Sequence, residues 1–413
     1  MRLHIDVETY SSEDIKKCGA YRYCDGIDFE ILMIAYAYDD NPVQIIDLAA
    51  GEEIPEHFLA ALGDSTTTLC AHNATFERLC FAAYDLSTDI SKWECTMVKA
   101  AQCGYPLPLD KAADAMELDN RKDSSGKALI RYFSMPCKPT KANEGRTRNY
   151  HYHDPEKWEA FKQYCIWDVQ VEREIDQKLS VYSMPDFERD MYILDQEIND
   201  RGVAIDIDYV GKIREINTIN KKNLLERMKS LTGLANPNSQ PQLTAWLTRA
   251  LGREITSVAK GLLPDMLKEA EGAVGEDPET VKEVIDLRIR ASKTSITKYV
   301  KMETSVGWDG RGRGFFQYYG ANRTGRWAGR LVQLQNLPRI YMDQEELDEA
   351  RRIFATGDFD KVNARYDKIS DKVSQLIRTA FVAKEGHTFA VADFSAIEAR
   401  VIAWLADETW RLD

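Results

Sequence analysis

No apolar run in this 413-residue chain reaches the ~18 residues that a bilayer-crossing helix requires. The N-terminus, MRLHIDVET, lacks the shape of a signal peptide. No CxxC pair occurs, and no cysteine lies beyond residue 165. The eight cysteines that are present are irregularly spaced. That argues against a zinc site or a disulfide framework and fits reduced thiols in a cytoplasm. A positive balance is also missing: the net charge is −13, which does not suit a nucleic-acid binder taken as a whole. One stretch runs the other way. From Gly310 to Ile340 there is no acidic residue and there are six arginines, at 311, 313, 323, 326, 330 and 339. Such a segment suits a phosphate-facing patch. With 44% hydrophobic residues, the chain has enough apolar material for two or three domains with cores of their own.

In the first third, the alternation of Leu3, Ile5 and Val7 with His4, Asp6 and Glu8 predicts a strand over about Arg2 to Glu8. Asp6 and Glu8 then share a face, about 6–7 Å apart along the strand. A cation between them would offset their repulsion; a polar strand edge facing solvent is the alternative. Residues 67–83, TTLCAHNATFERLCFAA, read as a short apolar strand running into a helix that starts near Asn73. Asn73 suits a helix cap and Glu77 an exposed face. In residues 157–175, Trp158, Phe161, Cys165 and Val169 recur at helical spacing, which puts Tyr164 and Asp168 together on one face.

Asp6-x-Glu8, Asn73-x-x-Phe76-Glu77 and Tyr164-x-x-x-Asp168, in this order and spacing, resemble the three motifs of DnaQ-like 3′–5′ exonucleases of the tyrosine subtype. The resemblance implies an α/β domain built on a ribonuclease H-like mixed sheet. It implies two Mg²⁺ or Mn²⁺ ions held by Asp6, Glu8, Glu77 and Asp168, one activating water and the other stabilising the leaving 3′ oxygen. Tyr164 would orient the water, and Asn73 and Phe76 would touch the DNA strand. The family usually ends its second motif in aspartate. Glu77 carries one more methylene, which moves the carboxylate outward by about 1.5 Å.

A Ser/Pro stretch at 179–186, LSVYSMPD, reads as a linker. Gly202 with Val203, Ile205 and Ile207 reads as a turn and a strand, and residues 209–302 as mostly helical. Within them NPNSQPQLTAWL, residues 236–247, suggests a turn, a cap and a helix start. Phe316, Tyr318 and Gly320 suggest a hairpin strand, and Thr324-Gly325-Arg326 a tight turn. Near the end, Phe389, Val391 and Asp393 alternate as in a strand, and from Ser395 the pattern turns helical. Asp393 thus stands at a strand-to-helix handover, either as a metal-holding carboxylate or as a helix cap.

DFSAIEAR at 393–400 and TGR…LQNLP at 324–338 resemble signatures of family A (DNA polymerase I-like) DNA polymerases, phage or bacterial in type. Residues 236–247 are similar to their thumb, although a helical spacer reads almost equally well. LIRTAF at 376–381 resembles the strand lead-in to their first palm motif. The resemblance implies that Arg326 reaches the minor groove at the primer terminus and that Gln335 and Asn336 contact template-primer. Arg330, in WAGRLV where the family often has serines, is an additional basic group. Arg378 is either structural or directed at triphosphate. Asp393 would hold metal, and Glu398 would crowd the sugar 2′ position of the incoming nucleotide.

The expected organisation is an exonuclease domain at 1–178, a polymerase start with a mainly helical thumb at 186–310, and a partial α+β palm at 311–413. The family's fingers helix and second palm carboxylate find no counterpart in the sequence. The chain alone is therefore expected to bind DNA and trim 3′ ends without incorporating dNTPs, unless a second polypeptide supplies those parts. A stand-alone exonuclease whose C-terminal half grips DNA, and a non-catalytic DNA-binding subunit, are the rivals. A bacterial or phage-infected cytoplasm is the expected location.

Overall fold

The computed structural model describes residues 1–118, 126–321 and 323–411. They fall into two units, Met1–Phe381 and Val382–Asp413. The protein is mixed α/β, with one five-stranded mixed sheet and many helices.

The sheet is built from β1 (Arg2–Tyr10), β2 (Glu30–Tyr38), β3 (Gln44–Ile46), β4 (Thr68–Ala71) and β5 (Trp93–Cys95), in the spatial order β3-β2-β1-β4-β5. β2 runs antiparallel to β1, while β4 and β5 continue parallel to it. The expected strand forms and extends two residues further, to Tyr10. Leu3, Ile5 and Val7 enter one apolar core with Phe58, Leu69 and Phe81. The other face meets the helix Pro155–Lys178, through Ala35, Ala37, Phe161, Cys165 and Val169. On this face Asp6 pairs with Ala35 and His4 with Ala37 across the β1–β2 ladder. These small neighbours leave room beside the polar side chains. A register shift between Glu8 and Thr9 bends the ladder next to the carboxylates, a usual place for such irregularities.

The helix Pro155–Lys178 starts where its sequence says it should: Asp154 accepts from Lys157 N at 3.1 Å and Pro155 occupies the first turn. It ends just before residues 179–185, which lead into the helix Asp186–Arg201. β6 (Val203–Ile205) follows, and Ile207 opens the 26-residue helix Ile207–Thr232 instead of prolonging the strand. Asp206 caps that helix by accepting from Tyr209 N, so the strand pattern yields to a capped helix start. Gln240–Leu251 begins after Ser239 as expected and packs Leu243, Trp246 and Leu247 into a separate helical core with Val281 and Ile285. β7 (Arg311–Gly312) pairs with β6. β8 (Phe316–Ala321) and β9 (Arg326–Gly329) form the expected hairpin, and Gly325 takes φ +67° in its turn, a conformation that favours glycine.

Two expectations near the end are corrected. Leu376–Ala380 is a 3₁₀ helix, and only Phe381–Val382 is extended. The strand expected over 389–393 does not form: residues 387–394 are irregular and exposed. A period-two pattern makes a strand only when a neighbour takes its backbone hydrogen bonds, and no described strand pairs with this segment. The following helix does form, at Ile397–Leu405, so Glu398 lies in its first turn and Asp393 four residues before it.

Candidate active site

The strand and the long helix bring three carboxylates together. One oxygen from each of Asp6, Glu8 and Asp168 lies within 4.8 Å of the others. Glu8 and Asp168 are buried and Asp6 is half-buried. Tyr164, one helical turn before Asp168, hydrogen-bonds to its carboxylate. Its ring lies against Gly126, where an added Cβ would sit 2.0 Å from Cε2. Only glycine leaves that space, a requirement invisible in the motif itself. Cys165 donates its thiol to Asp6 Oδ2 at 3.3 Å.

Glu77 projects from the helix Thr75–Ala82 and is buried, which removes the exposed face that was the alternative to its expected metal role. It stands outside the group of three, and its Oε2 has no hydrogen-bond partner. Asn73 does not cap that helix: Ala74 holds the cap position, and Asn73 turns the chain with φ +78°. Phe76 packs partly buried against the core, its ring 6.1 Å from Tyr23.

Three neighbours register a negative field at this point. Burial and then the charge of Asp6 push the Glu77 carboxyl well up. Burial followed by Asp168 and Glu8 raises the Tyr164 phenol. Burial followed by Asp6 and Glu8 raises the Cys165 thiol. An all-oxygen, crowded, partly desolvated set of this kind fits a hard divalent cation such as Mg²⁺ or Mn²⁺. The second cluster, His4, Cys70 and Asp176, fits less well. Arg2 and Lys99 already hold the Asp176 carboxylate at 2.7 and 3.0 Å.

Sequence reasoning passed over His4 and Glu172, whose Nδ1 and Oε2 meet at 2.7 Å in the interior. Both had a visible signal: His4 is two residues before Asp6 on the same strand face, and Glu172 one turn after Asp168. It also passed over Asp195, buried on the helix Asp186–Arg201. Asp195 accepts from Trp327 Nε1 at 2.8 Å. Burial lifts its carboxyl to about 6 against these hydrogen bonds.

The arginine-rich segment is not one patch. Arg311 donates to the carbonyls of Arg201 and Gly202, and Arg313 makes a two-pronged ion pair with Asp309 and donates to the Asp200 carbonyl. These two lock the chain, correcting the reading of all six as phosphate-facing; Asp309, the acidic partner of Arg313, stands just outside the counted stretch. Arg326 and Arg330 are exposed on and beside the β8–β9 hairpin, and Gln335 and Asn336 are exposed in the short helix Leu334–Asn336. Arg378 reaches the carbonyls of Leu337 and Pro338 at 3.4 Å, which favours its structural alternative. Asp393 and Glu398 are exposed in the unit Val382–Asp413.

No family model matches the chain. Its fold is similar to that of a solved polymerase domain. Over 98% of this chain and 59% of the other, it superposes with TM-score 0.54 and 17% identity on the POL domain of Pol1 from M. smegmatis, solved in complex with DNA primer-template and dNTP. Likeness at that identity establishes the fold. The sequence carries the comparison further: 412 residues are 49% identical to a DNA polymerase of Bacillus phage SP02, covering all of this chain and 62% of the relative. The chain is a homologue of that phage DNA polymerase and corresponds to part of its length. Among the described residues no helix is long and apolar enough to cross a membrane.

Proposed function

We propose that this chain carries a metal-dependent 3′–5′ exonuclease on a ribonuclease H-like sheet, joined to the DNA-gripping part of a family A polymerase. The convergence of Asp6, Glu8 and Asp168 within 4.8 Å, with Tyr164 hydrogen-bonded to Asp168, carries the reading. Asp6, Glu8 and Asp168 would hold divalent metal, with Glu77 completing the acidic wall. When bound, such ions lower the pKa of water and neutralise charge on phosphate. The chain's own part is to fix the carboxylates before substrate arrives. Tyr164, boxed by Gly126 and hydrogen-bonded to Asp168, would orient a water against the terminal phosphodiester. Release of nucleotides from a 3′-labelled single strand, dependent on Mg²⁺ and stopped by EDTA, tests the reading. Intact 3′ ends after incubation with Mg²⁺ or Mn²⁺ would reject it.

Glu77→Asp tests how the longer side chain is used. Shortening it withdraws the carboxylate by about 1.5 Å and leaves a void in a packed interior. The expected outcome is an exonuclease rate about tenfold lower. A tenfold rise would show instead that the site works better with the shorter acid.

For the whole protein we propose template-directed DNA synthesis, with Asp393 as a palm metal ligand and Glu398 against the sugar of the nucleotide. Arg326, Arg330, Gln335 and Asn336 would meet the primer-template. Neutralising Arg326 and Arg330 together to Gln should weaken primer-template binding and reduce its log–log salt slope by roughly one unit for each lost phosphate contact. An unchanged slope would exclude phosphate contact for both.

A further inference from the structure

The segment joining the helix Gly126–Phe133 to the helix Pro155–Lys178 belongs to none of the motifs above. Between Lys138 and His153 it carries four lysines and arginines, two histidines and a single acid, Glu144, in a chain whose net charge is −13. Lys138 and Lys141 are exposed, and Arg146 is half-buried. The segment ends in aromatic residues. The rings of Tyr150 and Tyr152 lie parallel, 3° between planes and 5.5 Å between centroids, and are 41% and 61% exposed. Two stacked aromatic rings left in water beside several cations form a surface that suits bases and phosphates.

Its position connects it to the carboxylates. Tyr10 follows Glu8 by two residues on β1, about 6–7 Å along the strand, and packs in the same core cluster as Tyr164. The Arg148 guanidinium lies over the Tyr10 ring at 3.7 Å and over the Tyr150 ring at 4.6 Å. Glu8, Tyr10, Arg148, Tyr150 and Tyr152 therefore form a continuous series from the acidic site to the surface. The loop is held in place. Buried Asn149 donates to the Tyr132 carbonyl at 3.0 Å and accepts from Arg146 Nε at 2.9 Å. Cys137 N bonds to the Thr147 carbonyl at 2.8 Å, and Tyr150 N to His153 Nδ1 at 2.8 Å.

We propose that this loop is a landing platform for single-stranded nucleic acid, with bases stacking on Tyr150 and Tyr152 and phosphates meeting Lys138, Lys141 and Arg146. The strand's 3′ end is thereby led to Asp6, Glu8 and Asp168; this last step rests on the exonuclease reading. Ring stacking accepts every base and needs it unpaired, so the platform is indifferent to sequence and selects single strands over duplex.

The test uses the full chain in EDTA, so that nothing is cleaved, and a fluorescein-labelled mixed-sequence 12-mer read by anisotropy. Tyr150→Ala with Tyr152→Ala should weaken binding about tenfold or more while leaving the salt slope and the affinity for blunt duplex unchanged. Tyr150→Phe with Tyr152→Phe should bind like the parent, since the ring and not the hydroxyl is used. Changing Lys138, Lys141 and Arg146 to Gln should lower the single-strand salt slope by about two units, at ~0.7 for each phosphate contact. In Mg²⁺ the alanine pair should raise KM for single-strand digestion with kcat retained. Equal single-strand affinity of the alanine pair and the parent would overturn the platform, as would a phenylalanine pair as weak as the alanine pair. The binding arm decides without catalysis. A chain that never digests DNA but loses single-strand affinity in the alanine pair keeps the platform and loses the exonuclease; metal-dependent digestion with unaltered binding does the reverse.

Discussion

Asp6→Ala is expected to slow removal of nucleotides from a 3′-labelled single strand by about 10³-fold or more, which corresponds to roughly 4 kcal/mol of barrier. Asp6 meets four other groups. It faces Glu8 and Asp168 within the 4.8 Å cluster, takes the Cys165 thiol hydrogen bond, and repels Glu77. Losing it removes one of the two strand carboxylates that face Asp168 on the helix, so a cation would be held by fewer oxygens. The metal-free fold should tolerate the change, because a like charge leaves a crowded negative site. Thermal unfolding in EDTA, run beside the activity assay, separates lost chemistry from lost structure. If wild type and Asp6→Ala digest the strand equally, the three carboxylates are not the site.

The second large effect concerns stability and pH. The folded chain keeps Asp195 protonated up to about pH 6, because burial disfavours its charge even with Trp327 and Asn199 donating to it. The unfolded chain releases the same proton near the ordinary carboxylate value. Between those two points the native state holds the extra proton, so stability falls as pH rises from about 4 to about 6 and levels off above. The drop from this group is about 3 kcal/mol. Asp195→Asn removes the titration. Its amide places an N–H₂ among donors, so the variant should be less stable throughout, but its curve should lack that drop. Urea unfolding at intervals between pH 4 and 7 reads the difference in slope independently of the offset. Parallel curves for the two proteins would show that Asp195 does not titrate in this range.

Local periodicity made some elements legible before any coordinates. β1, the helix Pro155–Lys178 and the β8–β9 hairpin each declare themselves through apolar residues at spacings of two or of three and four, and each forms where expected. Spacing also put Asp6 with Glu8 on one strand face and Tyr164 with Asp168 on one helix face, while their convergence on one site was implied only by the resemblance to DnaQ-like exonucleases. What was hidden depends on residues distant in sequence. Glu77 could be read as exposed as well as metal-holding because its helix alone does not say which side meets the sheet. Arg311 and Arg313 looked like phosphate ligands because the carbonyls of Asp200, Arg201 and Gly202 that they meet are backbone atoms with no sequence signature, and because Asp309, the ion-pair partner of Arg313, stands just before the acid-free stretch. The segment around Val391 carries a strand pattern, yet a strand is a property of a pair and the pattern names only one member. Gly126 has its meaning only once the Tyr164 ring is seen to occupy the space a Cβ would need.

The helix Asp186–Arg201 is fastened on both sides. Arg78 grips Asp200 through two nitrogens, and Thr75 donates to Gln196, tying it to the helix that carries Glu77. From its other side Asn199 bonds both backbone groups of Phe316, and Trp327 reaches Asp195, tying it to the β8–β9 hairpin. The exposed stretch at 180–183 is thus a covalent thread rather than a mechanical joint. A protease nick there would leave two fragments still clasped, through this helix and through direct bonds such as Lys301 to the Lys17 carbonyl and Trp308 to the Asp25 carbonyl.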